Sequence, residues 1–150
     1  MPIPAWSTVV LCTDEDLRTL EINVLQWVSG EGSAAYFRQG AKDQIADELR
    51  QSFKSIEKTT DAAEVLDLIA DVTPLKYAAS YLSLHLICNN CSVGGDQWER
   101  KAEMYWSKYK EALPGAIGML TLDVDESGVG DEAEKYYLNA GVRMTRGAID

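Results

Sequence analysis

A stripe of apolar residues with helical spacing runs through the first half of the chain. Its members follow one another at intervals of four, four, four and three residues: Ala41, Ile45, Leu49, Phe53 and Ile56. This spacing is typical of an amphipathic helix that buries one face. Because Ser33 stands where such a helix can open, the pattern predicts a helix near residues 34–58.

A second helix is predicted near residues 74–89. Thr73-Pro74 combines a capping residue with a proline suited to the first helical position. From there to Cys88 the only full charge is Lys76. A helix that is apolar nearly all round belongs in the middle of a bundle, so we expect this one to be central.

A third helix is predicted near residues 97–113, with an aromatic stripe along one face. Asp96 and Glu99 resemble a capping box, and Pro114-Gly115 should end the helix. The stripe consists of Trp98, Ala102, Tyr105, Tyr109 and Leu113, with Trp106 beside it. So many aromatic rings exceed what one narrow stripe buries, and such rings are enriched at interfaces. A stripe of this kind is most often core, and we expect some of Tyr105, Trp106 and Tyr109 to face another subunit instead.

Two shorter helices are also predicted. Thr13 precedes Asp14, Glu15 and Asp16, which gives a capping residue followed by acids that complement the helix dipole. We expect this helix to run to about Glu21. Thr60 can cap another short helix, whose apolar residues would be Val65, Leu66, Leu68 and Ile69.

The last third of the chain changes from helical spacing to alternation. Leu120, Leu122 and Val124 alternate with polar residues, as do Val142 and Met144, and Ser127-Gly128 supplies turn chemistry between them. The predicted fold is therefore mainly α: an antiparallel helical bundle with a small β hairpin and an extended C-terminal arm. We expect a single domain over residues 1–150, with an N-terminal segment (1–32), a helical body (33–115) and a hairpin with the arm (116–150).

Composition narrows the function classes. The chain has 150 residues and a net charge of −10, from 24 acids against 14 bases. This balance argues against sequence-independent nucleic-acid binding, which depends on Lys and Arg. We find neither a secretory signal pattern nor an apolar run of about 18 residues, and three cysteines give no even disulfide framework. We expect a protein made in a reducing cytoplasm and without a membrane span.

Two groups of residues carry possible metal chemistry. Asp123, Asp125, Ser127, Asp131 and Glu134 fall at oxygen-ligand positions of a calcium loop, with Gly128 at its sixth position. Gly130 at the eighth position and the preceding strand pattern argue against it. An exposed acidic turn is therefore favoured, and calcium binding stays open as the alternative.

The sequence does not favour a soft-metal or redox site at His85, Cys88 and Cys91. A structural zinc normally takes four ligands, and a redox Cys-x-x-Cys motif is expected beside a βαβ unit. We find no nucleophile motif and no phosphate-binding glycine loop. We therefore expect core packing for these cysteines, no cofactor and no enzymatic activity.

The chain resembles the head–tail adaptor (connector, or neck) proteins of tailed bacteriophages. The resemblance covers about residues 35–146. It lies in the helix that Thr73-Pro74 opens, in the spacing of Tyr105, Tyr109 and Leu113, and in the Leu-Asp-Val-Asp-x-Ser-Gly turn (122–128) with a basic end at Arg143 and Arg146. No counterpart of residues 6–32 is recognised in that family.

The resemblance implies a structural virion protein, assembled in the host cytoplasm and located in the neck. It would form a homo-oligomeric ring, expected to be a dodecamer, between the portal protein and the next neck or tail-completion protein. DNA would pass through the lumen without specific binding, and weak repulsion by acidic walls fits that role. We expect the arm, through Arg143, Met144 and Arg146, to dock onto the portal, and the turn at 123–130 to meet an adjacent subunit or the lumen.

Overall fold

A computed structural model describes residues 5–28, 34–53, 65–91 and 95–122. These residues are mainly helical, which confirms the predicted class. The described α-helices are α1 (Asp14–Leu20), α2 (Val24–Trp27), α3 (Ala35–Ser52), α4 (Lys76–Asn90) and α5 (Asp96–Met119). Short 3-10 turns lie at Trp6–Thr8, Val65–Leu68 and Thr73–Leu75.

The described residues fall into two compact units. Unit 1 comprises 5–9, 46–53, 65–74 and 115–122, and unit 2 comprises 10–28, 34–45, 75–91 and 95–114. Unit 2 contains α1, α2 and α4 together with the first parts of α3 and α5.

The start of α1 follows the prediction closely. The Thr13 hydroxyl accepts a hydrogen bond from the Asp16 backbone N–H at 3.2 Å, and the Asp16 carboxylate accepts one from the Thr13 N–H at 2.8 Å. These two bonds form a capping box, which satisfies backbone donors that the first turn cannot pair internally. The helix ends at Leu20, one residue before the predicted end.

The apolar stripe of α3 is buried as its spacing predicts. Ala41 and Ile45 in unit 2, and Leu49 and Phe53 in unit 1, all have 0% of their surface exposed. The helix ends at Ser52 rather than near 58. Residues 54–64 lie outside the described part of the chain, including Ile56 and the predicted cap Thr60.

The apolar helix α4 is confirmed, but its predicted cap is wrong. Eight of its 15 residues are buried. The helix begins at Lys76, after a 3-10 turn, and no side chain caps it. The Thr73 hydroxyl donates instead to the Asp71 carboxylate at 2.6 Å, because that acceptor is only two residues away.

Helix α5 begins at Asp96 and does not end at Pro114-Gly115. It continues to Met119 with Pro114 inside it, so the predicted end is wrong. Proline removes the N–H that would bond the carbonyl of Lys110. Both residues are exposed, so water can satisfy that carbonyl. Beyond the proline, burial of Ala116, Ile117 and Leu120 in unit 1 favours continued helix.

The predicted β hairpin is not supported by the described residues, which contain no β-strand. Leu120 and Leu122 are fully buried, as their alternation predicts. Leu122 pairs with Ile69 in an isolated antiparallel bridge, and the Ala70 N–H donates to the Thr121 carbonyl at 2.9 Å. The remainder of the predicted hairpin, and the arm, lie outside the described residues.

Candidate functional site

Unit 2 carries an open groove between the start of α3, the end of α4 and the first half of α5. It consists of two adjoining hollows of about 570 and 460 Å³, which share the side chains of Gln44, Leu86 and Asn89. We call this feature the α3–α5 groove. Its size and openness to solvent suit an extended segment better than an enclosed small molecule.

Gly40 lines the α3–α5 groove beside Leu86. A Cβ atom added to Gly40 would lie 3.4 Å from Cδ1 of Leu86, at the near limit of van der Waals contact. Tyr36 and Phe37 form one wall, with their rings edge to face and their centres 5.4 Å apart. Tyr36 is 77% exposed, so this wall offers aromatic surface to a partner.

The opposite wall is held by a histidine and a tryptophan. The His85 Nδ1 lies 2.7 Å from the Ala102 carbonyl, and since a carbonyl only accepts, Nδ1 carries the proton and donates. The imidazole lies 5.0 Å from the Trp106 ring, centre to centre. This hydrogen bond fixes the imidazole, which in turn supports the accessible part of Trp106.

The charge of the α3–α5 groove is negative. Asp43, Glu99 and Glu103 line it and are exposed, whereas none of its described lining residues is Lys or Arg. The Gln39 amide donates to the Asp43 carboxylate at 2.9 Å, which orients that acid. Amide side chains also line the groove and can both donate and accept hydrogen bonds: Gln39, Gln44, Asn89 and Asn90.

A polar network in unit 2 positions α5. Glu21 Oε1 accepts hydrogen bonds from Lys101 Nζ at 2.8 Å and from the Tyr105 hydroxyl at 2.5 Å. Burial, followed by the hydrogen bond and negative charge of Glu21, raises the pKa of Tyr105. The tyrosine therefore stays protonated as a donor, and the network is structural.

A pair of tryptophans also holds the beginning of α5 in place. The rings of Trp27 and Trp98 meet edge to face at 4.9 Å, and Lys101 Nζ lies 5.2 Å from the centre of the Trp27 ring. Such contacts each stabilise by roughly 0.5–1.5 kcal/mol. They fix the first turns of α5, where the acids of the groove stand.

The start of α3 is fixed by a second network. The Asp14 carboxylate accepts from Arg38 Nε at 2.8 Å and from the Ala34 N–H at 3.3 Å. Arg38 Nη1 also donates to the Cys12 carbonyl at 3.4 Å. Asp14 thus satisfies a donor at the beginning of α3 and ties this helix to α1.

The three cysteines behave as packing residues in unit 2. All are free thiols, with Cys12 and Cys88 buried. Burial raises the pKa of Cys88 to about 11 and also raises those of Cys12 and Cys91, so at neutral pH the thiolate that reacts or binds metal is scarce. Within the described ranges, no group of His, Cys, Asp and Glu is arranged to hold a metal ion. The structure does not bring His85, Cys88 and Cys91 together as a metal-holding group.

The three residues predicted for a subunit interface differ in how much of their side chain is exposed. Tyr105 and Tyr109 are each only 3% exposed, whereas Trp106 is half-buried and lines the α3–α5 groove. Of these three side chains, Trp106 alone offers appreciable surface within the chain, and the interface role stays a prediction. The arm residues Arg143, Met144 and Arg146 lie outside the described residues. So do the calcium-loop candidates Asp123, Asp125, Ser127, Asp131 and Glu134.

Sequence reasoning missed the α3–α5 groove itself. Tyr36 precedes the apolar stripe of α3 and lies outside its spacing, whereas Phe37 lies four residues before Ala41 and continues that spacing. Gly40 is the one local signal at this site, since a glycine inside a helical pattern costs roughly 1 kcal/mol relative to alanine.

Over the described part of the chain, no helix has both the length and the apolar character required to cross a membrane. The chain matches no protein-family model, no curated protein and no solved structure.

Proposed function

We propose that this protein is a structural head–tail adaptor of a tailed bacteriophage, which forms a homo-oligomeric ring between portal and tail. The supporting observation is that the helical features behind the resemblance are core features of the fold. Helix α4 is buried over eight of its 15 residues. Tyr105, Tyr109 and Leu113 form one buried stripe on α5.

The α3–α5 groove also favours a protein that binds other proteins. Its exposed aromatic wall at Tyr36 and its open form are typical of a docking surface for a polypeptide. The polar networks around Glu21 and Asp14 hold helices in place. In this proposal the protein catalyses no reaction and needs no cofactor.

The acidic chain fits a channel through which DNA moves. With a net charge of −10, a ring would repel the phosphate backbone weakly rather than retain it. We further propose that the long helices pack antiparallel, that the turn at 123–130 lies beside a neighbour or the lumen, and that the arm reaches a neighbouring protein. The portal protein and the next neck or tail-completion protein are the proposed partners.

Electron microscopy and co-sedimentation with the portal ring of the same phage test this proposal. We expect an added ring, of twelvefold symmetry, at the tail-side end of the portal channel. A chain that neither sediments with the portal nor forms rings would contradict the proposal. Calorimetry with calcium tests the alternative: micromolar binding that Asp123→Ala and Glu134→Ala abolish would favour a calcium-binding protein.

A further inference from the structure

The α3–α5 groove has the chemistry to bind an extended segment that carries arginine. The exposed carboxylates of Asp43 and Glu103 can each accept the paired N–H groups of a guanidinium. Amide side chains of Gln44 and Asn89 can bond the backbone of an extended peptide, whose N–H and C=O groups need partners.

The aromatic walls add a second kind of recognition. Trp106 already attracts a cation, since Lys110 Nζ lies 5.9 Å from the centre of its ring, and a guanidinium can compete for the same surface. Phe37 and Leu86 offer apolar surface beside the acids. A flexible thioether would suit such an uneven apolar surface, because methionine adapts to gaps and contacts aromatic rings favourably.

Residues 141–150 of this chain contain the guanidinium groups and the thioether that the groove is suited to bind. Residues 141–150 contain Arg143 and Arg146 with Met144 between them, and their only acid is Asp150, so their net charge is +1. The preceding segment, 123–140, contains six acids and one lysine. A basic arm therefore follows an acidic segment in a chain whose net charge is −10.

The arm has enough chain to reach another subunit. Gly141 follows Leu122, the last described residue, by 19 residues. Fully extended, such a stretch spans at most roughly 60 Å, several times the radius of gyration of about 13 Å expected for a domain of 100 residues. Chain length therefore permits docking outside the parent subunit.

We propose that the α3–α5 groove binds the arm, residues 141–150, of a second copy of this chain, so that subunits join arm to groove. This inference rests on the proposed ring and names the contact that links its subunits. It gives the arm a destination other than the portal. Such a head-to-tail contact uses different surfaces on the two partners, and it closes into a ring when the rotation between subunits permits.

Paired charge reversal in the full-length chain tests this contact. The groove variant is Asp43→Arg/Glu103→Arg, and the arm variant is Arg143→Glu/Arg146→Glu. Sedimentation velocity should show self-association at least about tenfold weaker for each, since like charges then face one another. A mixture of the two should form mixed oligomers, because the intact arm of the groove variant meets the intact groove of the arm variant and the reversed arm meets the reversed groove. A chain carrying all four substitutions should regain self-association.

The control is Glu48→Arg/Glu111→Arg, which places the same charges on exposed positions of α3 and α5 outside the groove lining. This variant should associate like wild type. The inference would be overturned by a monomeric wild type, by wild-type association in either reversed variant, or by a mixture in which the two variants do not associate with each other. Portal co-sedimentation is read separately: if it persists in such a case, the adaptor proposal stands and only the arm–groove contact fails.

Discussion

The Tyr105 hydroxyl and the Glu21 carboxylate form a 2.5 Å hydrogen bond between residues separated by 84 positions in the sequence. Lys101 donates to the same oxygen, Oε1, at 2.8 Å. One carboxylate therefore connects the segment after α1 to two successive turns of α5. This arrangement holds the half of α5 that carries the acids of the α3–α5 groove.

Tyr105→Phe should lower the free energy of unfolding by about 1.5–3 kcal/mol, because it removes a hydrogen bond to a charged acceptor that is largely buried. Urea denaturation at pH 7, followed by far-UV circular dichroism, measures this change. Tyr77→Phe is the matched control, since Tyr77 is 58% exposed, and it should have little effect. Equal losses in the two variants would contradict a specific role for the Glu21 bond.

Cys88 should make the protein less stable at alkaline pH. Burial raises the pKa of its thiol from 9.0 to about 11, so the folded chain holds this proton more tightly than the unfolded chain. The contribution is complete below pH 9 and is lost as pH rises towards 11, by roughly 2–3 kcal/mol for a shift of this size.

Urea unfolding of wild type and Cys88→Ala at pH 8 and at pH 10.5 measures this dependence. The difference between the two pH values should be smaller in Cys88→Ala, whatever the cavity costs at pH 8. Since Tyr105 also has a raised pKa, it makes its own contribution above pH 10, and both proteins retain it. Parallel pH dependences would show that Cys88 is not desolvated in the folded chain.

Thr13→Ala should destabilise the protein by about 1 kcal/mol, because it removes the hydroxyl that accepts from the Asp16 N–H in the capping box. Thr19→Ala is a useful control at the other end of α1. The Thr19 hydroxyl donates only to the Glu15 carbonyl, within the helix and in solvent. Thermal unfolding should give a lower midpoint for Thr13→Ala than for Thr19→Ala, and the reverse order would contradict the capping assignment.

Local and periodic signals predicted the helices well. The capping box at Thr13, the buried stripe that includes Ala41 and Ile45, and the apolar α4 each depend on residues close in sequence. The helices that these patterns predict are present in the folded protein because burial of their apolar faces stabilises them. The end of α5 was not predictable in this way, because burial of Ile117 and Leu120 outweighs the local effect of Pro114.

The α3–α5 groove depends on side chains far apart in sequence. Tyr36, Leu86 and Trp106 come together only when three helices fold, and none of these residues belongs to a motif. The Glu21 network has the same origin, since its partners are 80 and 84 residues away. Sequence spacing within one helix cannot indicate such neighbours, so spacing alone did not show that Tyr105 and Tyr109 are buried within the chain while Trp106 lines the groove.

Substitution by alanine should change the stability of the protein in opposite directions at Gly95, just before α5, and at Gly118, inside α5. Gly95 has φ of +128°, a conformation that L side chains rarely adopt, so Gly95→Ala should destabilise the protein by roughly 1–3 kcal/mol although no atom lies within 4 Å of the added Cβ. Gly118 is inside α5, its φ is not in that region, and its added Cβ also meets nothing within 4 Å. Gly118→Ala should therefore stabilise the protein by about 0.5–1 kcal/mol through backbone entropy and helix propensity.

Urea denaturation of both variants beside wild type measures the two changes, and the pair controls for the added methyl group, since only the backbone conformation differs. A stabilising Gly95→Ala would show that α5 begins in another conformation, and a destabilising Gly118→Ala would show that the helix does not continue past Pro114.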